Sequence, residues 1–465
     1  MPFRIAIVLT LIAVACSGET TEPAPTTVAS TPAIGEQLDS DGGEIPPAPQ
    51  APTGSLSDDT IAAIDVVWGA FTGEVDPATV EVLGASNDAR LGWLLSDILR
   101  FFQGGTVGDA AAAAFAELTG VAIPGGGDVS QWRRVTDLMI AWDLEAPPGY
   151  ADYKERLFTL VDVGWQPFFD DIAANVDWRL VSWGGVLIDN RRLGDSDPCL
   201  RGCIPALDDP AVTSVDGGGW YPDAAVVFGV TVGGETRAYP KNIMEVHEMV
   251  NDTLGGRRIG MPYCTLCGSA QAFFTDLVPE GFSTLVLRTS GLLARSNKVM
   301  YDLENESMFD TFLGVALTGP LREAGLVLEP VTVVTTTWGE WKAAHPETTI
   351  VAQDGGIGRS YPVDPLRGRD NNGPVFPVGD VDPRLPVQEP VVGVVGRDGR
   401  VVAFPAAAAR LAIDEGVAVT TDGIELRLDG GGLRAFDAAG AELPTHESFW
   451  FAWSQFQPTT IVWQP

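Results

Sequence analysis

The chain changes its hydrophobic periodicity near residue 200, and this change limits the folds open to it. From about residue 56 to 195, apolar residues recur at spacings of three and four, as in ARLGWLLSDILRFF, which is the pattern of amphipathic helices. After Cys203, short apolar runs are separated by glycine and aspartate, which is typical of strands and turns. The sequence therefore predicts an α+β fold, with an N-terminal all-helical region followed by a β-rich domain.

The β-rich part contains an internal repeat. The segment GVTVGGETRAYP at 229–240 resembles GVVGRDGRVVAFP at 393–405, and each ends in an aromatic residue followed by proline. A W-x-x-W motif followed by P-x-T also occurs twice with the same internal spacing, at 338–348 and 450–460. We therefore predict a β-rich domain built from two diverged repeats, of which the second is eroded.

The N-terminal residues predict export. One arginine precedes an apolar run that is too short to span a bilayer, and the run ends in the lipobox-like sequence Ala13-Val14-Ala15-Cys16. Lipidation of Cys16 after cleavage would anchor the protein in a membrane, and an ordinary cleaved signal is the alternative. We expect an exported, membrane-anchored lipoprotein of the cell envelope, in an extracytoplasmic position.

The expected organisation follows from these composition changes. Residues rich in Thr, Pro and Ala cannot bury enough apolar surface to fold, so the segment after the signal predicts a disordered tether. In chain order, we expect a signal peptide with a lipobox-like end (1–16), a tether (17–54), a helical domain (55–198), the first β-rich copy (199–390) and the eroded second copy (391–465).

The charge balance narrows the range of partners. The chain has 29 Lys+Arg against 62 Asp+Glu, a net charge of −33. This argues against nucleic acid and against an anionic lipid surface as partners. A lipid anchor remains the expected contact with the membrane, and a protein or glycan partner is left open.

The stretch VHEMVNDTLGGRRIGMPYCTLCGSA holds the only C-x-x-C of the chain, Cys264 to Cys267. A hairpin with Gly255-Gly256 as its turn would place His247 opposite Cys264, with β-carbons about 4.5 to 5.5 Å apart. This pairing fails if the segment around His247 is helical. Two thiolates and an imidazole suit copper or zinc. Candidate further ligands are Met300 and Asp302.

Other interpretations of the cysteines stay open. Cys264 and Cys267 can form a static disulfide, as exported cysteines usually do, or a metal-free dithiol in which His247 lowers the pKa of one thiol. The second repeat lacks Cys and His in the matching segment, which favours a chemical role in the first. Cys199 and Cys203 are predicted to form a local disulfide. His345 is assigned a structural or capping role, and His446 an exposed loop.

Many motifs, in order, resemble those of the bacterial domain of unknown function family 3179. The residues that carry the resemblance are Ile204–Pro210, Ala238-Tyr239-Pro240, His247-Glu248, Val250-Asn251-Asp252, Tyr263-Cys264, Leu266-Cys267-Gly268, Ser290-Gly291-Leu292, Val299–Asp302 and Trp338-Gly339. The resemblance extends from about residue 200 to the C-terminus. It implies an exported or membrane-anchored protein and carries no activity with it.

The resemblance also implies which residues lie together. The family's pattern places the H-E-x-V-N-D and Y-C-x-L-C-G motifs at one site, so Glu248, Asn251, Asp252 and Tyr263 would orient or line a site formed by His247, Cys264 and Cys267. The leading hypothesis is a lipoprotein that binds copper or zinc there, for metal handling or redox chemistry. The alternatives are a non-catalytic surface module with structural disulfides and a metal-free dithiol protein. Whether the protein is an enzyme is left open.

Overall fold

The computed structural model describes residues 37–126 and 129–465. The predicted signal peptide, its lipidation residue Cys16 and the tether up to residue 36 lie outside this part of the chain. The described residues belong to one compact unit, Glu36–Pro465. Within them, no helix is both long enough and apolar enough to cross a bilayer.

Seven α-helices precede the first strand of the described chain, and their apolar faces form one core. Serine side chains begin two of them: Ser57 accepts a hydrogen bond from the Thr60 amide, and Ser130 from the Arg133 amide. The helices predicted for this region are therefore observed over residues 58–169, but the strand Val181–Trp183 shows that the region up to residue 198 is not all-helical. The helices are α1 (Asp58–Ala70), α2 (Pro77–Glu81), α3 (Gly92–Phe101), α4 (Gly105–Thr119), α5 (Gln131–Trp142), α6 (Tyr150–Val161) and α7 (Gln166–Phe169).

Part of the predicted tether is packed against this helical core. Ile45 is buried among the core residues, and the Trp142 indole donates a 2.7 Å hydrogen bond to the Pro46 carbonyl. The Leu38 carbonyl accepts a hydrogen bond from the Val381 amide. The prediction of disorder is wrong for residues 38–46. The average composition of the segment does not reveal its two apolar residues, Leu38 and Ile45. Neighbouring elements also form hydrogen bonds with part of its backbone.

The remaining described chain forms short strands with five further helices, which confirms the α+β class. The strands are β1 (Val181–Trp183), β2 (Leu207–Asp208), β3 (Val212–Ser214), β4 (Val226–Val232), β5 (Glu235–Pro240), β6 (Met249–Leu254), β7 (Arg257–Cys264), β8 (Ser269–Ala270), β9 (Ala272–Phe274), β10 (Leu287–Ala294), β11 (Asn297–Asp302), β12 (Met308–Asp310), β13 (Pro330–Val331), β14 (Val333–Thr337), β15 (Thr349–Val351), β16 (Pro390–Val395), β17 (Val401–Pro405), β18 (Val419–Thr421), β19 (Ile424–Asp429), β20 (Gly432–Asp437), β21 (Glu442–Leu443), β22 (Thr445–Phe449) and β23 (Ile461–Val462). The helices are α8 (Lys241–His247), α9 (Gly319–Glu323), α10 (Trp338–Ala344), α11 (Ala406–Asp414) and α12 (Trp450–Phe456).

Two of the five sheets have matching connections. One has the order β14-β4-β5-β15-β3, and the other β22-β16-β17-β23. In both, two antiparallel pairings are followed by a parallel one. The Trp341 indole donates to the Thr348 hydroxyl at 3.0 Å, and the Trp453 indole donates to the Thr460 hydroxyl at 3.1 Å. The W-x-x-W and P-x-T motifs thus make the same contact in both places.

The cysteine motif lies in a third sheet, of order β13-β9-β7-β6-β2, where β8 also pairs with β7. A fourth sheet has the order β1-β10-β11-β12. Its strand β1 falls within the predicted helical domain and pairs antiparallel with β10. The helical and β-rich parts of the chain therefore share a sheet beside the cysteines. The fifth sheet is β18-β19-β20-β21.

Candidate functional site

The hairpin β6–β7 brings the C-x-x-C motif to the edge of a cavity. Gly255 and Gly256 form its turn with φ of 55° and 73°, which glycine adopts without steric cost. The register pairs Met249 with Pro262, as the sequence predicted. Strand β7 ends at Cys264, and a short 3-10 helix, Thr265–Cys267, follows. This tight turn brings the two cysteine side chains together.

The Sγ atoms of Cys264 and Cys267 lie 2.7 Å apart, and both thiols are free. The Cys267 side chain is fully buried, and its sulfur lies 3.2 Å from the Ser296 carbonyl, to which it donates. Burial raises the pKa of Cys267 well above its ordinary value, and the neighbouring Cys264 adds to this increase. Because a disulfide bond is about 2.0 Å long, joining the sulfurs requires only a small displacement.

Cys264 lines a cavity of about 260 Å³. Apolar side chains such as Leu366 and Phe376 form part of its wall, together with the charged residues Glu248 and Lys298. Cys264 is 5 % exposed and Cys267 0 %. A molecule in the cavity would therefore contact Cys264 and not Cys267.

Glu248 and Lys298 form a charged pair beside the thiols. Glu248 ends helix α8 in the left-handed region, with φ of 51°. Its carboxylate accepts a 3.0 Å hydrogen bond from the Thr265 hydroxyl and lies 3.5 Å from the Lys298 ammonium, which also donates to the Glu248 carbonyl. Burial lowers the pKa of Lys298, while the charges of Glu248 and of a Cys264 thiolate oppose the decrease. Lys298 and Glu248 thus form a contact pair in the wall of the cavity that Cys264 also lines.

His247 does not face Cys264, so the predicted pairing of these residues is wrong. His247 is the last residue of α8, and the left-handed turn at Glu248 separates it from the strand. Its Nδ1 lies 2.6 Å from the Pro205 carbonyl, to which it donates, so Nε2 accepts a hydrogen bond from the Tyr361 hydroxyl at 2.7 Å. Burial lowers the pKa of His247 to about 4. Both ring nitrogens are therefore engaged away from the thiols.

Of the residues expected to orient the site, Glu248 alone lines the cavity with Cys264. Asn251 hydrogen-bonds the Asp208 carboxylate and the backbone of Leu287. The Asp252 carboxylate accepts hydrogen bonds from Arg237 and Tyr239. These buried contacts join β6 to neighbouring strands.

Tyr263 is likewise buried and packs against the ring of Phe228, with the centroids 4.9 Å apart. The fold uses Asn251, Asp252 and Tyr263 for packing and strand attachment.

The candidate ligands Met300 and Asp302 also lie elsewhere. Met300 is buried in an apolar cluster with Phe309, and Asp302 accepts hydrogen bonds from the amides of Val286 and Asn305. In the described ranges 37–126 and 129–465, no group of three or more His, Cys, Asp and Glu side chains is arranged to hold a metal ion. The donors present near the thiols do not fit a copper or zinc site of three protein ligands.

Among the described residues, the other cysteines and the histidines His345 and His446 are half-buried and do not line the cavity. Cys199 and Cys203 form the predicted disulfide, with Cα atoms 5.6 Å apart. His345 is the C-cap of α10 and lies 2.8 Å from Asp429, in agreement with its predicted capping role. The prediction of an exposed loop is wrong for His446, which lies in β22 and packs against Phe312.

Sequence reasoning missed the lysine of the site. Lys298 is distant in sequence from the C-x-x-C, and the β10–β11 hairpin carries it to the cavity. A lysine in an otherwise apolar strand pattern, NKVMY, was the available indication, because a charged side chain in a buried strand needs a partner.

Comparison with known proteins agrees with the motifs. No curated protein and no solved structure matches the chain. The family described as protein of unknown function (DUF3179) matches residues 201–431. This range includes the cysteine hairpin, Lys298 and most of the residues that line the cavity, and it excludes the seven N-terminal helices. Through residues 201–431, the chain belongs to this family of proteins of unknown function.

Proposed function

We propose that Cys264 and Cys267 form a redox-active pair that exchanges two electrons with disulfide substrates. The observation that carries the proposal is the 2.7 Å separation of two free sulfurs, one of which borders a cavity. A C-x-x-C pair with one accessible and one buried thiol is suited to thiol–disulfide exchange.

The chemistry assigns different roles to the two thiols. The Cys264 thiolate attacks one sulfur of the substrate disulfide, which forms a mixed disulfide and releases the first substrate thiolate. Cys267 then loses its proton and attacks the Cys264 sulfur. The Cys264–Cys267 disulfide forms, and the second substrate thiol leaves. Two protein thiols are oxidised as one substrate disulfide is reduced, and the reverse sequence oxidises a substrate dithiol.

The charged residues of the cavity support these roles. Lys298 lines the same cavity as Cys264, and the negative charge of a Cys264 thiolate raises the pKa of Lys298. The high pKa of Cys267 keeps that thiol protonated until the mixed disulfide brings a leaving group beside it. The carboxylate of Glu248 lines the cavity, and its negative charge contributes to the raised pKa of Cys267.

Copper or zinc held by the two sulfurs is the second candidate. It is supported by two soft, adjacent sulfur donors in a buried position. His247, Met300 and Asp302 are engaged elsewhere, so remaining ligands would come from a bound molecule or a partner. The third candidate, a surface module that binds a protein or glycan, leaves the cysteines without a chemical role.

One experiment separates these candidates. The full chain is equilibrated in glutathione buffers of graded potential, free thiols are alkylated, and the peptide that contains Cys264 and Cys267 is quantified by mass spectrometry. Bound metal is measured in the same samples by elemental analysis. Reversible oxidation of this peptide supports the redox pair. Stoichiometric copper or zinc that Cys264→Ser removes supports the metal site, and a pair locked in one state without metal supports the binding module.

The position of the protein in the cell is a separate proposal. We propose that the protein is an exported lipoprotein anchored through Cys16. The support is the order of residues at the N-terminus, where a charged residue is followed by an apolar run and then by small residues. Labelling cells with a radioactive fatty acid should mark the protein, and Cys16→Ser should abolish the label and release the protein from membranes. Label that persists in Cys16→Ser would reject this anchor.

We also propose that the β-rich part arose by duplication, with copies at 199–390 and 391–465. The matching strand order of two sheets and the paired tryptophan–threonine hydrogen bonds support it. On this proposal, the second copy lost the cysteine chemistry and kept the scaffold. Deleting the second copy should unfold the protein and not only inactivate it, because the Phe449 ring of that copy packs on Gly268 beside the thiols. A folded, redox-active product of that deletion would contradict a scaffold role.

A further inference from the structure

The cavity beside Cys264 admits small molecules and not a folded protein. Cys264 is 5 % exposed, and the cavity volume is about 260 Å³. A disulfide within a folded protein is flanked by backbone on both sides, which a cavity of this size cannot hold. A low-molecular-weight disulfide meets no such obstacle.

Most charges around the cavity are already neutralised by neighbours. Lys298 is paired with Glu248. Glu245 is paired with Lys241, which also contacts Asp370 at 2.8 Å. A charged substrate therefore gains little binding energy from these residues, because each of them already pairs with an opposite charge.

Arg369 differs from these residues. It lines the same cavity, its side chain is exposed, and its 3-10 helix, Arg369–Asn371, packs against the 3-10 helix Thr265–Cys267 that carries the thiols. Within the described part of the chain, it forms no ion pair with a carboxylate. A guanidinium offers a planar pair of donors that matches a carboxylate.

We propose that the cavity takes a low-molecular-weight disulfide that carries a carboxylate, with Arg369 as the residue that binds it. This inference rests on the proposed redox function of Cys264 and Cys267. Arg369 is a specificity residue here, and the sulfur chemistry stays with the cysteines. The exchange is that given above: one substrate disulfide and two protein thiols yield two carboxylate-bearing thiols and the Cys264–Cys267 disulfide.

Three small disulfides of different charge test the proposal: dithiodiglycolate (carboxylates), bis(hydroxyethyl) disulfide (neutral) and cystamine (ammonium groups). The reduced full chain is mixed with each and quenched with acid, and the oxidation of Cys264 and Cys267 is followed by alkylation and mass spectrometry. Each rate is divided by that for dithiothreitol with the same disulfide, which removes differences in intrinsic reactivity.

Two variants make the test specific. Arg369→Gln removes the proposed carboxylate ligand. Arg367→Gln is the matched control, since Arg367 is an exposed arginine two positions earlier that does not line the cavity. Neither residue contacts the sulfurs, so both variants keep the redox pair.

We expect the wild type to prefer dithiodiglycolate over the neutral disulfide by roughly three-fold or more, as an exposed ion pair with partial screening allows. Arg369→Gln should lose this preference while keeping its rate with bis(hydroxyethyl) disulfide, and Arg367→Gln should behave as the wild type. The preference should also fall as salt is added.

The opposite results overturn the inference. These are no preference for dithiodiglycolate, a preference for cystamine, or equal losses in Arg369→Gln and Arg367→Gln. In each case, oxidation by the neutral disulfide would still support the redox pair. If no disulfide oxidises Cys264 and Cys267, the proposed function itself fails, and the substrate assignment with it.

Discussion

The hydroxyl of Tyr361 lies 2.7 Å from Nε2 of His247 and donates to it. The other ring nitrogen donates to the Pro205 carbonyl, so the imidazole is held neutral between two partners. Through these two hydrogen bonds, the histidine of the H-E-x-V-N-D motif joins the chain segment before β2 to the segment around Tyr361. Its role in the fold is structural.

This geometry predicts a loss of stability in acid. Burial lowers the pKa of His247 to about 4 from 6.5, so the unfolded state binds more protons between these values, and stability falls as the pH decreases through this window. The loss approaches about 3 kcal/mol near pH 4. Urea unfolding at pH 7 and at pH 4.5 measures it. His247→Gln, which can keep both hydrogen bonds, should reduce the pH dependence, and an unchanged dependence would contradict the assignment.

The local sequence pattern predicted the β6–β7 hairpin correctly, but not the residue at which the hairpin begins. The Gly255-Gly256 turn fixed the register of β6 and β7, and spacing alone fixed the Cys199–Cys203 pairing. The helix that ends at His247 was not predicted, because its left-handed cap is Glu248, whereas glycine or asparagine usually marks that position. Because the helix ends at this unusual cap, His247 belongs to the helix and lies away from the thiols.

The members of the cavity could not be predicted from spacing. Lys298 and Arg369 reach Cys264 through the packing of a hairpin and a loop that are far from it in sequence. The family resemblance placed Asn251 and Asp252 in the proposed site, but a hydrogen bond to Asp208 and a buried ion pair with Arg237 hold them within the fold instead. Contacts of this kind depend on tertiary packing, which a single sequence does not encode in any local pattern.

The two thiols should differ in reactivity. Cys264 borders the cavity, whereas Cys267 is fully buried with a pKa well above its ordinary value, and the thiolate is the reactive form. In single-serine variants, we expect iodoacetamide to label Cys264 in Cys267→Ser at least about ten times faster than Cys267 in Cys264→Ser. Labelling is followed by mass spectrometry of the shared peptide. Faster labelling of Cys267 would reverse the two roles.

Lys298 should accelerate the reactions of Cys264. Lys298 lines the cavity with Cys264 and pairs with Glu248, and a Cys264 thiolate raises the pKa of Lys298, so Lys298→Met removes this charge interaction. We expect a roughly tenfold slower oxidation by bis(hydroxyethyl) disulfide, which corresponds to about 1.4 kcal/mol. Lys298→Arg should restore part of the rate. Lys342→Met is the control, because Lys342 pairs with Asp223 away from the cavity. Equal effects of both methionine variants would exclude an electrostatic role.

Two glycines test whether the paired sheets are packed alike. A Cβ atom on Gly229 would overlap the ring of Trp341, and one on Gly393 would overlap the ring of Trp453. Alanine at either position must displace an indole that is already hydrogen-bonded to a threonine. We expect each substitution to destabilise the protein by about 2 kcal/mol, as overpacking of a core does.

Gly219→Ala serves as the control for these substitutions, because nothing lies within 4 Å of the Cβ it would add. The midpoints of urea unfolding compare the three variants. Similar shifts for Gly229→Ala and Gly393→Ala, with little change for Gly219→Ala, would mean that Trp341 and Trp453 pack equally tightly against their sheets. If Gly393→Ala leaves the unfolding midpoint unchanged, the second sheet accommodates the added methyl group and the first does not. The ring of Trp453 would then not be packed as tightly as that of Trp341, against the expectation from the proposed duplication.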